Sequence, residues 1–409
     1  MESDLACDGG RYIVVTPLPF SLTDDNLYAV DDLCGYDLEA LLTVFPNLHV
    51  FAPFDSEYES TKYGYVFSQQ SAITFQSLPY FVSTFELLRK MPRILAILVR
   101  NIKKRDIVQS AGSIYQPVGA LALISCAIMR HRNRILVLDA DHVQDLEASA
   151  QVEQRGIRKF FLLILKHIIK FTLQFLILVT PLTFVVGDSL YSSYSHIGNV
   201  KKIYASWISR DYIISQANLV KKVLTTLKSS SFRLVFAAGL VHKKGPDIAV
   251  KVAAILHRKG IPITLDIYGV GPMRDELLRL IEGEGVSHLA ALKGTVNYET
   301  FHHVMTTYDI LLLPNLSGEQ PRVLFDAMAN GVLAIASDIV SLSDLITNDH
   351  NGILCDPRDP DSFAVAVERL YLNKKILEPL LYNGMLTARQ NTIESMHEKR
   401  KSVIQATFY

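Results

Sequence analysis

The sequence predicts an α/β protein made of two doubly wound domains that meet at a cleft, and three observations carry that prediction. At 409 residues the chain is longer than one hydrophobic core usually organises. Short runs rich in β-branched residues alternate with helix-length stretches, the rhythm of a parallel sheet covered on both faces. The rhythm is broken by a polar stretch at 228–231 and then restarts, which reads as two domains and a linker.

In the first half, strands are predicted at 12–16, 49–52, 72–76, 107–110, 135–138, 183–186 and 202–205. Helices are predicted at 85–103, 118–130 and 216–227. After the linker come a strand at 233–237, a helix at 246–258, a strand at 263–268 and a helix at 272–283. Strands at 291–294 and 310–313 complete the pattern. The resulting assignment is an N-terminal domain over 1–228, a second domain over 229–390, and a terminal helical segment over 391–409. Doubly wound sheets bind ligands beyond the carboxyl ends of their strands, so function is sought in the loops there.

Composition narrows the choice. Hydrophobic residues make up 49% of the chain and charged residues 20%, which excludes a disordered polypeptide. Forty-one basic residues balance 41 acidic ones, so overall charge gives no case for nucleic acid as a partner. Cys7, Cys34, Cys126 and Cys355 are scattered without metal-ligand spacing and read as buried thiols of a reducing compartment. The acidic start, MESDLACDGG, has no apolar run of the signal-peptide kind. A cytoplasmic protein is the expectation.

Residues 154–187 contain no acid, while Arg155, Arg158, Lys159, Lys166 and Lys170 are interleaved with FFLLIL, HII and FTLQFLILV. At about 100° per residue, Arg155, Lys159, Lys166 and Lys170 fall within roughly 60° of arc, leaving a broad apolar face. Lys166, Lys170 and Pro181 argue against a spanning helix. Two readings of 155–180 stay open: a helix buried against the sheet, and a basic apolar helix lying on the inner face of a membrane.

Chemistry concentrates in the second half. Lys244 precedes Gly245 at a helix start, a pairing of charge and backbone donors suited to a diphosphate. Gly269, Gly271 and Pro272 form a Gly-x-Gly-Pro turn between a strand and an amphipathic helix. Gly294 closes the strand ALKGTV. The richest stretch is GEQPRVLFDAMANGVLAIAS, residues 318–337: a loop with Gly318, Glu319 and Pro321, a short helix bearing Asp326, a break at Gly331, and an apolar strand.

These segments, with NGILCDPRDPDSFAVAV after them, resemble in order and spacing the donor half of the group 1, family-four-like retaining glycosyltransferases of GT-B fold. The resemblance covers about 130 residues and implies two Rossmann-like domains facing a central cleft. The first domain would take the acceptor, the second the nucleotide sugar, and the terminal helix would cross back to the first. It implies that Lys244, with Gly239 and Arg322, meets the donor diphosphate. Asp326, Gly269, Gly271 and Gly294 would border the nucleotide and its ribose. Glu319 would act at the transferred sugar, as would His142 in DADHVQD, for which a turn-capping role is the alternative.

The departures are specific. Gly239 stands where the family has an arginine, a loss that His242, Lys243 or Arg322 could offset. Gly318 stands at the first of the family's two glutamate positions, Glu319 one place later, and the shorter Asp326 at the second. The function expected is retaining transfer of a sugar from a nucleotide-diphosphate donor to a carbohydrate or lipid-linked acceptor hydroxyl, in polysaccharide or glycolipid synthesis, with no cofactor or protein-held metal. The alternative is a catalytically degenerate module that binds nucleotide sugar or serves as a scaffold at the membrane surface.

Overall fold

The computed structural model describes residues 10–60, 62–111, 118–141, 143, 146, 156–316 and 318–409. The chain divides into two units, one running to Ala205 and taking in Met396–Tyr409, the other comprising Ser206–Ser395.

The first unit opens with β1 (Tyr12–Val15), β2 (Ser21–Leu22), β3 (Tyr28–Val30) and helix α1 (Asp32–Val44). It continues through β4 (Leu48–Pro53), β5 (Tyr65–Val66), β6 (Thr74–Leu78), α2 (Thr84–Asn101) and β7 (Ile107–Ala111). Then come α3 (Val118–Ile128), β8 (Arg134–Leu138), α4 (Ile157–Val179), β9 (Leu182–Val186), α5 (Gly187–Tyr194) and β10 (Val200–Ile203). Seven strands form one sheet in the order β10-β9-β8-β7-β1-β4-β6, with every pair parallel. β2, β3 and β5 make a small antiparallel sheet that the sequence reading lacks, because strands of two or three residues carry no measurable periodicity.

α4 lies against the large sheet. Ile169, Leu173, Leu176 and Ile177 enter the unit's core with Leu136, Leu138 and Val185. The stretch Phe160–Val179 is long and apolar enough to cross a membrane, yet this stripe of core residues ties it to the sheet. Cys126 and Cys355 are buried free thiols, whereas Cys34 on α1 is only half-buried.

The second unit begins with α6 (Gln216–Lys228), β11 (Phe232–Ala237), α7 (Pro246–Arg258), β12 (Ile263–Tyr268), α8 (Arg274–Gly283) and β13 (Ala290–Gly294). It goes on through α9 (Tyr298–Met305), β14 (Ile310–Leu313), α10 (Val323–Ala329), β15 (Leu333–Ser337), α11 (Val340–Ser343) and β16 (Ile353–Cys355). α12 (Pro360–Leu372) and α13 (Leu377–Gln390) come next, and α14 (Ile393–Phe408) ends in the first unit. The parallel sheet runs β13-β12-β11-β14-β15-β16. β14 and β15 are buried along their whole length, which is why they read as unbroken apolar runs rather than alternating ones.

The division differs from the expected boundary at 228/229. Leu219 and Val223 of α6 sit in the second unit's core with Phe232 and Leu234, so α6 belongs to the second unit. The polar stretch at 228–231 is a tight turn inside that unit, where the Ser229 hydroxyl donates to the Ser231 carbonyl and the Tyr371 hydroxyl to that of Ser230. Strand order reverses between β11 and β14. The loops leaving those two strands therefore flank the crevice where open parallel sheets bind ligands.

Candidate functional site

The loop after β11 carries Gly239 and Lys244, and the loop after β14 carries Glu319. Their backbones are tied directly: the Leu316 N–H donates to the Lys243 carbonyl at 2.8 Å. Gly245, at φ +67°, brings the start of α7 so close to Pro314 that a Cβ would stand 2.2 Å from its carbonyl oxygen. The contact draws two side chains onto one carboxylate. Lys243 Nζ lies 2.6 Å from Glu319 Oε1, and Lys244 Nζ lies 2.7 Å from Oε2. Burial alone would raise the Glu319 carboxyl, but the Lys244 charge and the hydrogen bonds from both lysines outweigh it and hold the acid below its ordinary value.

Free backbone donors add little here. α7 starts with Pro246, which has no N–H, and the Ile248 and Ala249 N–H groups turn back onto the Gly245 carbonyl. The positive charge at this point thus comes from the two ammonium groups. Beside them Asn315 is buried, its side-chain oxygen and nitrogen both without a hydrogen-bond partner among the described residues.

Gly269 and Gly271 pack loop on loop. The Ala238 N–H donates to Tyr268, Leu240 to Val270, Met273 back to Leu240, and Gly269 to Gly294 at 2.8 Å. A Cβ on Gly269, at φ +139°, would sit 1.9 Å from the Ala238 carbonyl oxygen, and one on Gly271 2.5 Å from that of Leu240. The space their missing side chains leave is filled by the chain's own backbone. Gly294, at φ +71°, and Gly239 are open by contrast, the latter having only the Val270 oxygen within reach at 3.9 Å. Gly269→Ala should therefore cost about 3 kcal/mol of unfolding free energy, against about 1 for Gly294→Ala. Urea titration of both variants checks this, and equal losses would contradict the packing role.

Asp326, on the first turn of α10, is buried and accepts a 2.7 Å hydrogen bond from the Tyr298 hydroxyl at the head of α9. Burial pushes its carboxyl up to about 7, against the Tyr298 hydrogen bond and the Arg322 charge, which pull it down. The Asn330 amide behind it donates to the Asp326 carbonyl at 2.8 Å and to His302 Nδ1 at 2.9 Å. His302 is lowered by burial, so its neutral ring can accept there and donate from Nε2 to the Tyr212 carbonyl.

Arg322 does not join the lysines on Glu319. Its guanidinium lies 3.8 Å from the ring centre of Trp207, and Trp207 meets Tyr298 edge to face at 6.4 Å. The structure thus brings Lys244 and Glu319 together and adds Lys243. It places Asp326 in a buried pocket with Tyr298, and Arg322 on an indole. His142 lies outside the described residues. Tyr298 and Trp207 were missed by sequence reasoning, since neither stands in a ligand-type motif; the signal available was one tryptophan in the whole chain. Among the described residues no three His, Cys, Asp or Glu side chains gather as metal ligands would.

Residues 222–385 match the family described as glycosyl transferases group 1. An uncharacterized glycosyltransferase, MJ1607, of Methanocaldococcus jannaschii is 30% identical over 152 residues, covering 37% of this chain and 38% of that protein. The D-inositol 3-phosphate glycosyltransferase of Paenarthrobacter aurescens is 28% identical over 152 residues, 36% of this chain and 37% of the other. The alignments thus span under two-fifths of these relatives. Over the whole chain, the structure of Anabaena HepE in complex with UDP superposes with a TM-score of 0.68 at 13% identity, covering 97% of this chain and 100% of that one. Sucrose-phosphate synthase from Thermosynechococcus elongatus gives 0.71 at 12% identity, covering 98% and 99%. The chain has the GT-B fold, and within it residues 222–385 are similar to the group 1 glycosyl transferases.

Proposed function

We propose that this chain transfers a sugar from a nucleoside diphosphate sugar to an acceptor hydroxyl, with retention at the anomeric carbon. The observation that carries the reading is the convergence of Lys243 and Lys244 on one two-oxygen anion at the sheet's switch point. A diphosphate offers oxygens of the same kind. Two ammonium groups facing it would stabilise the charge that builds on the leaving group as the glycosidic bond breaks, a task that calls for no protein-held metal. Lys243 supplies the second cation that Gly239 lacks. Glu319 and, from sequence alone, His142 are the candidates nearest the transferred sugar; Asp326 with Tyr298 is the candidate for the ribose.

HepE has been solved with UDP and glucose, and AmsK of Erwinia amylovora and WcaL of Escherichia coli are named for amylovoran and colanic acid biosynthesis. Synthesis of a polysaccharide or glycolipid in the cytoplasm, with a carbohydrate or lipid-linked acceptor met at a membrane surface, is the setting this reading favours. Gly239 and Gly318, where the family has charged residues, favour a second reading, a module that binds nucleotide sugar without transferring it. A donor panel separates the two. The expected result is release of nucleoside diphosphate from at least one donor, unaffected by EDTA. Thermal stabilisation by a donor with no release across the panel would replace transfer by binding.

A further inference from the structure

Three helices share one face of the large sheet. The steps β6 to β7, β7 to β8 and β8 to β9 all run the same way along the strand order, so right-handed crossovers put α2, α3 and α4 on the same side. Packing agrees: Leu87, Ile94 and Leu98 of α2 join Val118, Ala122 and Cys126 of α3 in one core cluster, and Leu123 of α3 joins Ile169 and Leu173 of α4 in the next. The outward sides of α2 and α4 face away from that sheet.

Those outward sides are apolar to a degree unusual for a protein surface. On α4, Phe160, Ile164, Ile168, Phe171, Phe175 and Leu178 are exposed, Phe171 by 72% and Leu178 by 66%. At about 100° per residue they fall within roughly 80° of arc, on the side away from the buried stripe. On α2, Phe85, Leu88 and Val99 are exposed in the same manner, and Phe85 reaches 78%. Single exposed apolar residues are ordinary; a row running the length of a 23-residue helix is not.

The charges beside these rows have one sign. Arg89, Arg93 and Arg100 form a second row on α2, within roughly 40° of arc and next to the apolar one. None of the three has a carboxylate partner, and neither does Lys170 on α4, among the described residues. In α2, α3 and α4 together the single acid is Glu86, which faces Lys90 at 3.4 Å. A face meant for another folded protein has no need to exclude acids; one that meets anionic lipid does.

We propose that the outward face of α2 and α4 docks the chain on an anionic lipid bilayer. The phenylalanines and leucines enter the boundary between headgroups and acyl chains, and the arginine row and Lys170 meet lipid phosphates. The helices lie in the plane of the surface, because the inner side of each is committed to the core. This inference goes beyond sugar transfer and does not rest on it.

Flotation of the full chain with phosphatidylcholine vesicles, with and without phosphatidylglycerol, tests the proposal. The expected result is binding to the anionic vesicles that weakens with salt. Combined Ile164→Ser, Ile168→Ser and Phe171→Ser, all at exposed positions, should lower partition about a hundred-fold. Arg89→Gln with Arg93→Gln should lower it about five-fold per residue on anionic vesicles alone. Lys244→Ala should float as wild type does, which separates this result from the fate of the transfer reading. Absence of flotation on anionic vesicles, or undiminished flotation of the serine variant, would overturn the proposal. So would a dimer in sedimentation that the serine variant dissolves without any vesicle binding, since the face would then join two copies of the chain.

Discussion

Lys244→Ala should reduce release of nucleoside diphosphate by about two to three orders of magnitude, mostly in kcat, as expected for losing one preorganised charge contact to a leaving group. Lys244 is the stronger of the pair. Its side chain is 16% exposed against 36% for Lys243, so its charge acts through less water. Lys243→Ala should then cost nearer ten-fold. The same geometry makes Glu319 an internal competitor, because a donor diphosphate must take the lysines from a carboxylate already bound to both. Glu319→Gln keeps the shape and removes the charge, and should tighten binding of a nucleoside diphosphate a few-fold by calorimetry. Unchanged turnover in Lys244→Ala would remove the lysine pair from the mechanism. Weaker binding in Glu319→Gln would show that the carboxylate organises the lysines rather than competing for them.

Asp326→Asn should stabilise the chain at alkaline pH and leave it unchanged in acid. Below the ordinary carboxylate value of 3.8 the group is protonated in both folded and unfolded chains and contributes nothing. As pH rises from there towards 7, the unfolded chain has released the proton while the folded one keeps it, so stability falls. Above about 7 the whole cost of the buried anion stands, at most roughly 4 kcal/mol for about three units of pKa. Asparagine still accepts from Tyr298 and never ionises. Chemical denaturation of both proteins from about pH 4 to about pH 9 should show curves that converge in acid and separate through neutrality. Parallel curves would mean that Asp326 is ionised in the folded chain.

The second unit was legible because its elements obey local rules. β14 and β15 are unbroken apolar runs, Pro246 starts a helix where proline is tolerated, and Gly331 ends α10 at φ +61°. The domain boundary was misplaced because Lys228–Ser231 has linker composition, whereas membership is decided by where Leu219 and Val223 pack. The candidate site was legible as residue types and not as partners. Lys243 and Lys244 meet Glu319 across 76 and 75 residues of sequence, and Tyr298 reaches Asp326 across 28. Such pairings come from strand order, which no local window contains. Gly269 and Gly271 were legible as glycines at a turn, but it was not legible that backbone of the neighbouring loop lies where their side chains would stand. On α4 the pattern showed an apolar helix with a basic flank, and only the packing of Ile169, Leu173, Leu176 and Ile177 showed which side is left to the outside.

Trp207 gives the chain an optical consequence. It is the sole indole in 409 residues, and the guanidinium of Arg322 rests on its face at 3.8 Å. Arg322 lies between Pro321 and α10, on the segment that joins Glu319 to Asp326. Emission excited at the tryptophan edge therefore originates from one known place, free of background from other indoles. Any ligand that draws Arg322 off the ring alters the local field and quenching there. The unlabelled protein carries its own fluorophore for following events at the Glu319–Asp326 segment in real time.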